Sequence, residues 1–338
     1  MPLLSGTERL NLPRFFRKKR FFDVYSLRFN DISQHLALWY RQYVLLRAKG
    51  EPEVGLTLVL YDTEQPDKTR ICHQARSLQE ARIEDDIFYF SVAGGEFYQK
   101  GCHGEIEDGG EGEAVRWQFE WVPSTKPFRH YPFRFFYKSL WPLAKIVTPN
   151  PDISISGQLQ WGDQSWRFKD VQGCQTHIWG EQSGEQWTWG QVSLFEGDEK
   201  VIFEGVSGQV RFHGRLLPMI TMLRIVLNGQ EYRLNRPWQW RHNISFSHAD
   251  RWHFEATHSG TRFIGDVFVD PKTLTGVTYI DPDGSPRYVY RTESASLRLQ
   301  QFRRDKQEWI LERTFQSQPA MAYEFAQRDP VPDIPLVA

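Results

Sequence analysis

The sequence predicts an all-β chain built from antiparallel barrels or sandwiches, and three observations carry that prediction. Apolar and polar residues alternate with period two from one end to the other, turn signals recur at short intervals, and no helix-period segments supply the crossovers a parallel sheet needs. Aromatic residues make up 15% of the chain, with 13 Trp, 13 Tyr and 24 Phe. These residues favour strands, and they line apolar cavities as readily as they fill cores. At 338 residues there is room for two ordinary domains.

Taken in order, "LWYRQYVLL" (38–46) opens a first strand-rich half, and "VRWQFEWV" (115–122) sets Val115, Trp117, Phe119 and Trp121 against Arg116, Gln118 and Glu120. "ISISGQLQWG" (153–162), "FIGDVFVD" (263–270) and "YVYRTESASLRLQQF" (288–302) alternate in the same way, as half-buried strands do. Turns are expected at "AGG" (93–95), "GDQ" (162–164), Asn228-Gly229, "DPKTLTG" (270–276) and "DPDG" (281–284), since these residues supply the backbone conformations that tight turns require. "WTWGQVSLF" (187–195) echoes the opening strand, pairing Leu38 with Trp187, Tyr40 with Trp189 and Gln42 with Gln191. The echo puts a boundary near "SGE" and divides the chain into a basic arm (1–20), two β domains (21–184 and 185–326) and a tail (327–338).

A formal net charge of −1 provides no field to steer nucleic acid, which is excluded as a partner. Two stretches are locally basic and rich in aromatics, "RFFRKKRFF" (14–22) and "KPFRHYPFRFFYKSLWPLAKI" (126–146), and neither contains an acid. Such segments are either solvated basic faces or peripheral contacts to an anionic membrane surface. Three cysteines without CxxC spacing point to reduced thiols and a cytoplasmic setting. The chain opens with no signal-peptide pattern, and its longest apolar stretch, "LLPMITMLRIVL" (216–227), contains Arg224 and is too short to span a bilayer. His248, His253 and His258 are spaced by five, which along one strand puts them on alternating faces, so no metal site is expected.

The densest chemistry lies in "GCQTHIWGEQSGEQWTWGQ" (173–191). As a strand, "WTWGQVS" places Trp187, Trp189, Gln191 and Ser193 on one face, odd packing for a plain core and sensible as a cavity wall with polar handles. His177 and Glu181, if capped over a cavity, are candidate proton donors, and Cys174 is a nucleophile only if His177 accepts its proton. Structurally, the same residues read as a seam fixed by tryptophan–glycine packing.

This stretch, together with "TPNPDISISGQLQWGDQSWRF" (148–168) and "LALWYRQYVL" (36–45), resembles the superfamily of AttH-like proteins, carotenoid 1,2-hydratase (hydroxyneurosporene synthase) and tocopherol cyclase, over roughly residues 20–200. The resemblance implies two consecutive lipocalin-like antiparallel β-barrel domains and a hydrophobic small-molecule ligand, with neither metal nor organic cofactor. It carries His177 and Trp179 onto the superfamily's basic residue and tryptophan, and Trp187, Trp189 and Gln191 onto the strand that opens the second barrel. The sequence departs from the pattern at Cys174 and Ile178, and the hydratases' tyrosine–acid pair is represented only by Phe203 and Glu204 in "VIFEGV" (201–206). Two functions follow. In the first, a hydratase or cyclase protonates an isoprenoid-like alkene through His177 or Glu181; Trp39, Tyr40, Trp179, Trp187 and Trp189 hold the substrate, and Gln191 orients the attacking oxygen. In the second, the protein carries a hydrophobic ligand or lipid and does no chemistry.

Overall fold

A computed structural model describes residues 6–337 except 111, 125, 213 and 241. The chain separates into two compact units. The first comprises the described residues up to 129, with 140–182 and 280–285; the second comprises 130–139, 183–279 and 286–337. The main break falls two residues before the "SGE" boundary read from the sequence. Two short segments are also exchanged, and no composition signal marked them.

The first unit is one curled antiparallel sheet. From one edge it runs through Arg70–Ser77, Glu53–Asp62, Leu36–Leu46 and Phe21–Asp31 to the long strands Gln164–Gly180 and Ala144–Trp161. It continues through Val115–Trp121, Gly101–Ile106, Gly95–Tyr98 and Tyr89–Val92 to Arg82–Ile83. Alternation decides the faces, and Val115–Trp121 is buried at every odd position and exposed at every even one. Curling brings Gly95 so close to Glu53–Asp62 and Leu36–Leu46 that an added Cβ there would lie 2.7 Å from the Tyr40 hydroxyl, a approach only glycine permits. Gln42 Nε2 fastens the same point by donating to the Gly95 carbonyl at 2.8 Å.

The stretch read as a basic arm contains helix α1 (Gly6–Asn11), with Thr7, Leu10 and Asn11 buried. Asn11 and Gln175 exchange amide hydrogen bonds of 3.2 and 2.9 Å, and Asn11 Nδ2 also donates to Gln99 at 3.1 Å.

The second unit's sheet runs from Gln230–Leu234 through Ile220–Leu227, Val201–Gln209, Gln186–Val192, Met321–Gln327 and the 20-residue strand Pro286–Asp305 to Thr261–Phe268, Arg251–His258 and Ile244–His248. Asn228-Gly229 makes the expected turn with positive φ at both residues, 48° and 88°. The core packs Val192, Phe203, Leu223, Ile225, Trp252, Phe254, Tyr323 and Phe325 together, with Phe203 and Phe254 stacked at 5.0 Å. Both units are therefore the lipocalin-like antiparallel β architecture expected. Helix α2 (Arg134–Lys138) is the only helix besides α1 among the described residues, short 3₁₀ turns aside. No helix among them is long and apolar enough to cross a membrane.

Two expectations are corrected here. The echo between residues 38–46 and 187–195 does not extend to side-chain direction. Tyr40 faces the interior of its sheet, against Phe97 and Trp117. In the second unit it is Gly190 that faces the core, toward Met321 and Trp252, so Trp187, Trp189 and Gln191 lie on the opposite face. The histidine spacing also misled, because the turn at Ala249–Asp250 reverses the strand. His248 pairs opposite Arg251 and His253 opposite Phe246, which returns both histidines to one face. Each takes its own carboxylate, Asp250 for His248 at 3.0 Å and Asp266 for His253 at 2.7 Å. His258 meets Gln239 instead, at 3.1 Å.

Candidate active site

The residues singled out from sequence fall into two groups, one in each unit. In the first unit, His177 pairs opposite Tyr25, and Tyr25 opposite Gln42. His177, Tyr25, Gln42 and Tyr40 therefore share the interior face, with Trp179 on the same side of its strand. Trp39, adjacent to Tyr40, points the other way, so the two do not line one site together as the sequence reading had them.

His177 is fully buried and uses both ring nitrogens. Nδ1 donates to the Leu10 carbonyl at 2.6 Å, and Nε2 meets Asp23 Oδ1 at 2.7 Å. Asp23 Oδ2 accepts from the backbone N–H groups of Arg14, at 2.5 Å, and Phe15, at 3.2 Å. The ring lies between Tyr25, stacked at 4.1 Å, and Trp179 at 4.6 Å. Trp179 also carries the Arg14 guanidinium, 5.3 Å from its centroid. Burial, reinforced by Asp23 and opposed by Arg14, pushes the Tyr25 phenol well above the ordinary tyrosine range; Tyr40 is raised as well, chiefly by burial.

This arrangement fastens residues 10–15 to the sheet, and both ring nitrogens of His177 end on protein oxygens. Glu181 is half-buried past the strand end, where its backbone N–H donates to Leu143. Cys174, three residues before His177 on the same strand, points to the opposite face, so it is not placed to give His177 a proton. All three thiols are buried, and burial lifts Cys72 to about 11.

In the second unit, Trp187, Trp189 and Gln191 share their face with Glu204, Arg224, Arg291 and Glu324, as the pairing register dictates. This face is polar and ionic yet largely buried, unlike the apolar wall expected. Trp187 Nε1 donates to Glu324 at 2.8 Å. Arg291 bridges Glu293 at 2.7 Å and Glu324 at 3.1 Å, with its guanidinium 5.5 Å from the Trp189 centroid. Glu204 is directly opposite Gln191. His130 Nε2 stands 3.2 Å from Glu204 Oε1, and both side chains are fully buried.

Sequence reading passed over His130 and Asp23, and it noted Glu204 only as a departure from a motif. The available signal was an acid in the otherwise apolar strand "VIFEGV". Nothing local marked its partner, 74 residues earlier.

The sequence profile of the tocopherol cyclase-like family matches residues 63–322. The chain belongs to this family. No curated protein sequence matches it. Among solved structures, it is similar to a putative AttH from Nitrosomonas europaea, with 9% identity, a TM-score of 0.55 and coverage of 97% of this chain and 98% of that one. It is also similar to CghA, solved with Sch210972, at 7% identity and TM-score 0.55 over 97% and 94% of the two chains. For kievitone hydratase from Nectria haematococca the values are 9% and 0.52 over 97% and 93%. At these identities the likeness is one of fold.

Proposed function

We propose that the protein is a cofactor-independent hydratase or cyclase that adds water or an internal hydroxyl across a C=C bond of a hydrophobic, isoprenoid-like substrate. The observation that carries this reading is the His130–Glu204 pair, fully buried outside the apolar core, on the face it shares with Trp189 and Gln191. Burying ionisable groups costs several kcal/mol per ion, and such costs are retained where proton transfer needs them. Family membership supports the reaction class, and the kievitone hydratase fold shows that this architecture hosts a hydratase.

In the step proposed, a proton held by the pair passes to one alkene carbon as the π electrons form the new C–H bond. The neighbouring carbon becomes cationic beside the Trp189 indole. An oxygen oriented by the Gln191 amide forms the C–O bond, and its proton returns to Glu204–His130. His177 has a structural part in this reading, clasping residues 10–15 to their sheet, and Glu181 takes no part.

The test incubates the purified protein in D₂O with an acyclic carotenoid and, separately, with a prenylated quinol. Apart from the deuterium label, a product heavier by the elements of water identifies a hydratase, and an isomer of the substrate a cyclase. Either product carries one deuterium on carbon, and Glu204→Gln lowers its rate by about 10²-fold or more. Substrates recovered unchanged, with no deuterium, overturn the reading in favour of a carrier.

A further inference from the structure

The second unit presents an unusual surface at residues 130–139 and 235–240. Phe133, Phe135 and Trp238 are 40%, 60% and 59% exposed, although single exposed apolar residues are ordinary and clusters are not. The two segments form one patch because buried Phe136 packs on Trp240 at 5.8 Å while contacting Phe135 at 4.5 Å. The patch is braced from below, where Asn235 Nδ2 donates to the His130 carbonyl at 2.8 Å and Trp240 Nε1 to the Asn235 carbonyl at 3.0 Å. Arg134, Lys138 and Arg236 are exposed among the aromatics, with the Arg236 guanidinium 5.4 Å from the Trp238 centroid. Neither segment contains Asp or Glu.

We propose that this patch is a membrane-docking surface that seats on an anionic lipid bilayer. Aromatic side chains favour the headgroup boundary, and each nearby base gains from the negative surface potential. A segment of bases without acids, in a protein of net charge −1, is complementary to such a surface locally. The other basic aromatic stretch differs. There Phe15, Phe21 and Phe22 are buried and only Phe16 is exposed, beside Arg17, Lys18, Lys19 and Arg20, which makes it a solvated basic face.

Docking brings the segment that carries His130 to the bilayer, where apolar molecules concentrate. The inference does not rest on the reaction proposed above, because vesicle binding is read without turnover.

The experiment is co-sedimentation of the full chain with phosphatidylcholine vesicles, with and without phosphatidylserine. Wild type pellets with the anionic vesicles and stays in the supernatant with phosphatidylcholine alone. Phe133→Ser/Phe135→Ser/Trp238→Ser weakens binding by about tenfold or more. Arg134→Gln/Lys138→Gln/Arg236→Gln weakens it by about a hundredfold, from ~1 kcal/mol per base. All six side chains are exposed, and unchanged melting temperatures confirm that the variants fold. Neutralising Arg17, Lys18, Lys19 and Arg20 to Gln costs less than either triple variant. The proposal is overturned if wild type ignores anionic vesicles, if the aromatic variant binds as wild type does, or if the 17–20 variant shows the largest loss.

Discussion

Among the described residues, two fully buried histidine–carboxylate pairs share a chemistry and differ in surroundings. His177 and Asp23 meet in a short 2.7 Å hydrogen bond, and the remaining groups of the pair engage the backbone of residues 10, 14 and 15. His130 and Glu204 make a looser 3.2 Å contact on a sheet face with Trp189 and Gln191. The first pair is a clasp, because displacing either partner strands backbone donors or acceptors away from water. In the function proposed above, the second is the pair that moves the proton. Burial alone therefore does not separate the two roles.

Substitutions can break or sharpen this contrast. The largest effect is expected from Glu204→Gln, which lowers the rate of product formation by about 10²- to 10⁴-fold and moves the melting temperature little; a rate assay paired with a thermal melt checks both. Asp23→Asn inverts that signature. Its amide would face the N–H groups of Arg14 and Phe15 and leave His177 without its carboxylate, a loss of about 3–5 kcal/mol in denaturant titration, while the activity of the folded fraction persists. A rate collapse with Asp23→Asn at unchanged stability would exchange the two roles.

A smaller loss, ~1–3 kcal/mol, is expected for Asn11→Ala, which leaves the buried Gln175 amide short of a partner and loosens α1; hydrogen exchange at residues 6–15 reports it. The smallest effect concerns a mostly exposed ion pair. The Arg251 guanidinium, helped by His248, holds Asp250 at about 2, below its usual 3.8. Its contribution is complete above pH 3.8 and is lost as pH falls through about 2. Acid melts of wild type and Asp250→Asn should therefore differ slightly near neutrality and converge below pH 2.

Much of the fold was legible from local pattern. Period-two alternation in "VRWQFEWV" became alternating burial, and Asn228-Gly229 became the turn its residues specify. His177 stood out in the sequence, but its partners did not, because they lie 167 and 154 residues away at Leu10 and Asp23. Trp39 and Tyr40 show the reverse case. Both were assigned to one site although adjacent residues in a strand face opposite ways, so the periodicity already in hand ruled that out.

The sequence by itself determined that the chain forms strands and turns and that these strands assemble into antiparallel sheets. Those properties depend on neighbouring residues and on an alternation that any extended chain obeys. Only the tertiary structure decided that Gly190 and not Trp189 meets the second core, that His130 answers Glu204, and that Phe133, Phe135 and Trp238 remain outside. Those depend on how a sheet curls and which distant segments it brings into register, and sequence spacing carries no measure of either.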